Sequence, residues 1–173
     1  ALALQREVGN RSGESLSLVN LGVLAFGRGD LEGAHTAYQQ ALEILREVKN
    51  RSFEGGALVS LGRVHDVAGR REEARAAYES GLAVYRDAGD RRGVALGLEY
   101  RGIHFGEQGQ IAAARDALEQ ALAEIRAMGD LHREAVMLTG LACLHQDCGE
   151  VDEARALHER CLAIHREVDD EVG

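Results

Sequence analysis

The sequence predicts an all-α solenoid of stacked antiparallel helix pairs, and three observations carry that prediction. Residues 1–12, ALALQREVGNRS, and residues 41–52, ALEILREVKNRS, agree at eight of twelve positions across an offset of 40. The composition favours helix: no proline in 173 residues, 4% aromatics, and abundant Ala, Leu, Glu and Arg. Within each 40-residue period, apolar residues recur at helical spacing in two runs separated by a glycine.

The register holds along the chain without insertion or deletion. Gly29, Gly69, Gly109 and Gly149 fall one period apart, as do Ala34, Ala74, Ala114 and Ala154, and Leu42, Leu82, Leu122 and Leu162. Arg6, Arg46, Arg86, Arg126 and Arg166 extend the register to a fifth copy. Leu21-Gly22 and Leu61-Gly62 recur as Arg101-Gly102 and Leu141-Ala142.

The elements follow in order. Residues 1–10 read as the second helix of a repeat whose first helix is not present. Four full repeats then occupy 11–50, 51–90, 91–130 and 131–170, all in one solenoid domain. In 51–90 the first helix carries Leu58, Leu61, Val64 and Ala68, and the second carries Ala74, Ala77, Tyr78, Leu82 and Tyr85. Gly69 stands between them, where a helix ends in a left-handed residue that glycine adopts cheaply. Asn10, Asn50, Asp90 and Asp130 stand at the other junction and are suited to cap the next helix. A helix pair cannot cover its apolar faces alone, so successive pairs must stack. No polar capping helix follows Val168. The chain is therefore expected to be a piece of a longer array, with apolar surface at both ends.

The signature LGxxxxxxGxxxxAxxxYxxAL, running from Leu21-Gly22 through Gly29, Ala34 and Tyr38 to Ala41-Leu42, resembles the tetratricopeptide repeat family. It departs from that family in a period of 40 rather than about 34 and in lacking a closing proline. Both departures are similar to the longer-helix subclass of kinesin light chains, GoLoco-type scaffolds and bacterial signal-transducing regulators. A HEAT-type solenoid has a similar period. The small-residue columns at Gly22 and Ala34 favour the tetratricopeptide reading.

The resemblance implies a right-handed superhelix whose concave side is lined by the first helix of each repeat and accepts a protein or peptide segment. The family's inward-facing columns place Val19, Val23 and Phe26 in that groove from the first full repeat, and Arg63 and Asp66 from the second. Glu99, Ile103 and Glu107 follow from the third, and Thr139, Cys143, Gln146 and Asp147 from the fourth. The groove would run from an apolar end to a polar, mildly acidic one. The family's carboxylate clamp would use Val19, Val23, Val59, Arg63, Glu99, Ile103, Thr139 and Cys143. Only Arg63 among them is basic, so chaperone-type peptide binding is not expected.

Other function classes find little support. A net charge of −9 argues against nucleic acid and anionic membranes, and no apolar run is long enough to span a bilayer. The start of the chain lacks the pattern of a signal peptide, although Ala1 is not an initiator Met. Three cysteines, Cys143, Cys148 and Cys161, read as free thiols in a reducing, cytoplasmic setting. His158, Cys161 and His165 share one helical face and are candidate zinc ligands, but each falls in a packing column of the repeat. Cys143 and His145 are two apart on a helix, so their side chains diverge. No catalytic constellation, phosphate loop or cofactor site emerges, and the chain is not expected to be an enzyme.

Arg101 is the anomaly. It occupies the column of Leu21, Leu61 and Leu141, either snorkelling to water or pairing with Glu99 or a neighbouring carboxylate. The leading functional expectation is a binding scaffold, and the alternative is a sensor or regulatory module of a larger bacterial signalling or transcription-regulating protein. Self-association through the solenoid ends is also expected, using the helix at 1–8 and Leu162, Ile164 and His165 of the last helix.

Overall fold

Helix punctuation is local, and it sets the frame of the structure. The structure, a computed structural model, describes Gln5 and residues 9–172, with side chains as far as Glu167. Among the described residues the elements are eight α-helices and no strand. These are α1 Arg11–Gly27, α2 Leu31–Glu47, α3 Arg51–Val67, α4 Arg71–Asp87, α5 Arg91–Glu107, α6 Ile111–Met128, α7 Leu131–Asp147 and α8 Val151–Val172. None is long and apolar enough to cross a membrane.

Each first helix of a pair opens on the expected cap. Asn10 Oδ1 accepts the Gly13 N–H at 2.9 Å and Asn50 Oδ1 the Phe53 N–H at 3.4 Å. Asp90 and Asp130 do the same for Gly93 and Arg133, at 2.9 and 3.1 Å. These bonds satisfy donors that the first helical turn leaves open. Asp30 caps α2 in the same way, while Arg70 and Gln110 in its column make no side-chain cap. Between α3 and α4, Gly69 sits at φ 72°. This lets the Arg70 N–H return to His65 O at 2.8 Å and close the helix end. At the other junction Lys49 takes φ 57° in the column held elsewhere by Gly9, Gly89 and Gly129.

The chain divides into two compact units, residues 1–93 and 94–173. In the first, α1 packs on α2, α2 on α3 and α3 on α4; in the second, α6 packs on α7 and α7 on α8. The contact that decides how closely a pair can approach is an aromatic side chain laid on a glycine. A Cβ added to Gly62 would lie 2.6 Å from Tyr78 Cε1, and one on Gly22 would lie 2.6 Å from Tyr38 Cε1. In the second unit the corresponding pair is Gly102 and Leu118, at 2.8 Å. Tyr38, Tyr78 and Leu118 are all buried. The Tyr78 hydroxyl escapes the apolar environment by donating to Asp66 Oδ2 at 2.7 Å.

The periodic arginines also acquire a role. Arg46 Nε donates to Glu54 Oε1 at 3.1 Å, from α2 to the buried start of α3. Arg126 Nε donates to Glu134 Oε1 at 2.9 Å, from α6 to α7. Glu14, Glu54 and Glu134 form a buried acidic column that holds Val94 in the third repeat. Arg51 adds a second donor to Glu54 at 2.6 Å and reaches Asp87 at 3.0 Å. A buried carboxylate is tolerated only when its lone pairs are met in this way.

The expected end surfaces are only partly as anticipated. The segment 1–8 lies outside the described residues apart from Gln5. On α8, Leu162 is 56% exposed although Leu42, Leu82 and Leu122 in its column are buried, and His165 is exposed too. Ile164 corrects the expectation: it is 1% exposed and belongs to the core of the second unit. Two residues apart on a helix lie about 200° around the axis, so Ile164 cannot share the outward face of Leu162.

Gly62→Ala should lower stability by about 1–3 kcal/mol, because the methyl must displace Tyr78. Gly106→Ala, where the nearest atom would be 3.9 Å away, should instead raise it by roughly 0.5–1 kcal/mol. Lys49→Gly should raise stability by about 1 kcal/mol by relieving a left-handed non-glycine residue. Urea denaturation followed by circular dichroism measures all three. A neutral Gly62→Ala would mean that the tyrosine contact does not set the helix spacing.

Candidate protein-interaction surface

In the first unit, the expected groove residues lie on α1 and α3, the first helices of consecutive pairs. Val19 and Phe26 are half-buried against the core, so each is partly a packing residue. Val23, between them in sequence, is 55% exposed. Arg63 joins the two helices: its Cζ lies 4.8 Å from the centre of the Phe26 ring. A guanidinium over an aromatic face at a partly exposed site contributes about 0.5–1 kcal/mol. Asp66, held by the Tyr78 hydroxyl, is oriented by the second helix of its own pair.

In the second unit, Ile103, Glu107, Thr139, Cys143, Gln146 and Asp147 are exposed on α5 and α7. Glu99 is half-buried, and its Oε2 accepts from Arg133 Nη2 at 3.2 Å across those helices. Its charge is therefore shared with a neighbour before any ligand arrives. Thr139 Oγ1 donates one turn back to Ala135 O at 3.0 Å. Arg101 is half-buried on α5, and the carboxylate considered for it, Glu99, faces Arg133.

One column departs from the expected groove register. Val59, a position of the carboxylate clamp, is 2% exposed and lies in the core of the first unit. Leu16 and Val136 were missed by the sequence reading and are exposed on α1 and α7. They share a column with Gly56 and Leu96, one turn before the residues chosen from the family pattern. The available signal was weak, since an apolar residue in a helix is ordinarily assigned to the core.

The candidate metal ligands are dispersed in environment. His158 and Cys161 are half-buried on α8 and His165 is exposed; Cys161 Sγ lies 3.5 Å from Ala135 O. Among the described residues, no group of three His, Cys, Asp or Glu side chains is placed to hold a metal. Cys143 is exposed, whereas His145 is half-buried with its Nδ1 2.6 Å from Glu150 Oε2.

Family comparison agrees with this arrangement of helix pairs. Tetratricopeptide repeat models match residues 16–48, 55–80 and 135–168. The chain belongs to the tetratricopeptide repeat family. Repeats of this kind generally bind protein partners and are typically non-catalytic. No curated protein matches the sequence.

Several crystal structures share the fold. BtubC (BKLC) from P. vanneervenii is 22% identical with a TM-score of 0.85, covering 96% of this chain and 70% of that one. Aspartyl phosphate phosphatase F from Bacillus subtilis is 14% identical with a TM-score of 0.85, covering 92% of this chain and 42% of that one. The nearly identical TPR-like repeats of a Podosopora anserina kinesin light chain are 19% identical with a TM-score of 0.73, covering 98% and 84%. At these identities the likeness is one of fold: an all-α repeat solenoid.

Proposed function

We propose that the chain is a non-catalytic scaffold that binds a protein or peptide segment on the first helices of its repeats. The observation that carries this reading is where exposed apolar surface lies. Leu16, Val23 and Leu24 on α1, Phe53 and Val67 on α3, Ile103 on α5 and Val136 on α7 are all exposed. Among the described residues, none of the exposed large apolar side chains lies on α2, α4 or α6. Val151 and Leu162 are exposed on the terminal second helix α8. Single exposed apolar residues are ordinary, but the concentration of the others on the first helices supports a surface kept for a partner. Val19, Val23 and Phe26, with Arg63 and Asp66, supply an apolar patch edged by charge in the first unit. In the second, the expected residues beside Ile103 are Glu99 and Glu107 on α5 and Thr139, Cys143, Gln146 and Asp147 on α7, a polar and acidic set that favours a partner segment with basic or amide side chains.

A second reading treats the repeats as a regulatory module of a larger signalling or transcription-regulating protein. It is supported by the structural likeness to aspartyl phosphate phosphatase F and RapI, of which the chain spans 42% and 57%. Both readings use the same surface and differ in whether the bound segment comes from another chain.

Peptides selected from a displayed random library against this chain should lose affinity by at least about tenfold on Val23→Glu or Phe26→Ala, as for a buried apolar anchor. Glu99→Lys should shift the selected charge away from basic residues. Circular dichroism should show the helices intact in all three variants. Binders insensitive to every one of these changes would place the partner surface elsewhere.

A further inference from the structure

We propose that His35, His65 and Arg70 form a binding site for a carboxylate ligand at the α2–α3 edge of the first unit. The same three columns recur two periods later as Arg115, His145 and Glu150. The backbone is equivalent at both places. Arg70 N–H donates to His65 O at 2.8 Å, and Glu150 N–H donates to His145 O at 2.9 Å. The side chains therefore start from matching positions.

In the second unit these positions carry a complete cluster. Glu150 Oε2 accepts from Arg115 Nη2 at 2.5 Å and lies 2.6 Å from His145 Nδ1. One carboxylate oxygen thus bridges the second helix of one pair to the first helix of the next. Arg115 foremost holds the Glu150 carboxyl below its usual range; burial opposes it, and His145 adds a further lowering. Only Arg115 Nε is left there without a hydrogen-bond partner.

In the first unit the bridging acid is replaced by Arg70. The imidazoles of His35 and His65 meet edge to face, with ring centres 5.4 Å apart. His65 Nδ1 and Arg70 Nε are both buried without a hydrogen-bond partner. Arg70 and His35 both act electrostatically on His65, and buried polar atoms left without a partner, as His65 Nδ1 and Arg70 Nε are, are costly. The acids that act on His65 are Glu73, exposed on α4, and Asp66, which receives the Tyr78 hydroxyl. Burial pushes the His65 imidazole below its usual range, and Arg70 and His35 push it further down, outweighing Glu73 and Asp66. His35, His65 and Arg70 are each half-exposed as residues, so the edge is open to solvent. A carboxylate entering there would supply what Glu150 supplies in the second unit.

The pH dependence has a definite sign. With a folded value below the unfolded value of about 6.5, neutral His65 contributes fully above that pH. The contribution is lost as pH falls below about 6.5 through the folded value. A bound carboxylate favours the protonated ring and so opposes that loss.

The test follows the His35 and His65 ring resonances by NMR near pH 6, titrating sodium acetate against sodium chloride at equal ionic strength. Acetate should shift both rings saturably and raise the apparent pKa of His65, while chloride should not. A capped tetraglutamate peptide forms the second arm. Saturation by acetate alone identifies a free small carboxylate as sufficient, and saturation by the peptide only identifies an acidic protein segment. Arg70→Gln should weaken either response by about tenfold. Arg70→Glu, supplying the oxygen from within as Glu150 does, should abolish the response and raise the thermal midpoint. The site is overturned if neither acetate nor the peptide gives a saturable shift, or if Arg70→Gln responds as the parent does.

Discussion

The helix pair depends on a large side chain lying flat on a residue that has no side chain. Tyr78 can reach the backbone of α3 only because position 62 lacks a Cβ, and Tyr38 reaches α1 across Gly22 for the same reason. Close backbone approach brings the remaining small residues, Ala34 and Ala41 in the first pair and Ala74 and Gly81 in the second, into full burial. Interiors packed at crystal-like density leave no slack for an extra methyl at such a point. Where the third repeat substitutes Leu118 for tyrosine, the glycine at 102 is still required. In the fourth repeat both partners change together: Ala142 is buried and the large position holds half-buried His158.

Joining one pair to the next is a different problem, solved with charge. Arg46 and Arg126 reach over the helix junction to Glu54 and Glu134, whose carboxylates are buried while the guanidinium groups remain in contact with water. Such a pair adds geometric specificity to a junction that apolar side chains alone would leave free to slide. The acids also stand in the first turn of their helices, where the backbone N–H groups favour negative charge. Val94 fills the same column with an apolar side chain, so the molecule uses two chemistries at one register position.

The second helices α2, α4 and α6 expose no large apolar side chain among the described residues, whereas the first helices do. Exposed valine, isoleucine and leucine thus concentrate on α1, α3, α5 and α7, with Val151 and Leu162 on α8 beside them. The Arg63 guanidinium lies over the half-buried Phe26 ring and covers part of its face. At the edge of the repeats, the contrast between the Glu150 bridge and the His35–His65–Arg70 cluster shows one backbone turn carrying opposite charge arrangements.

The sequence by itself determined the repeat, its period, the positions of the helices, and four caps that bond as expected at Asn10, Asn50, Asp90 and Asp130. All of these rest on interactions within a few residues or on identity at a fixed offset, and both survive in one dimension. Family likeness then put the expected interaction surface on the first helices of the pairs, without telling its core positions from its exposed ones. Only the tertiary structure decided that Val59 is core while Val23 is exposed, that Ile164 faces inward, and that Glu54 and Glu134 are buried. It alone brought Arg115, His145 and Glu150 together, and set His35 against His65. The environment of these side chains is set by neighbouring helices, from 8 residues away for Glu54 and Arg46 to 35 for Arg115 and Glu150, and depends on the size and charge of what those helices present. Periodicity specifies which side of a helix a residue occupies, but not what stands opposite it.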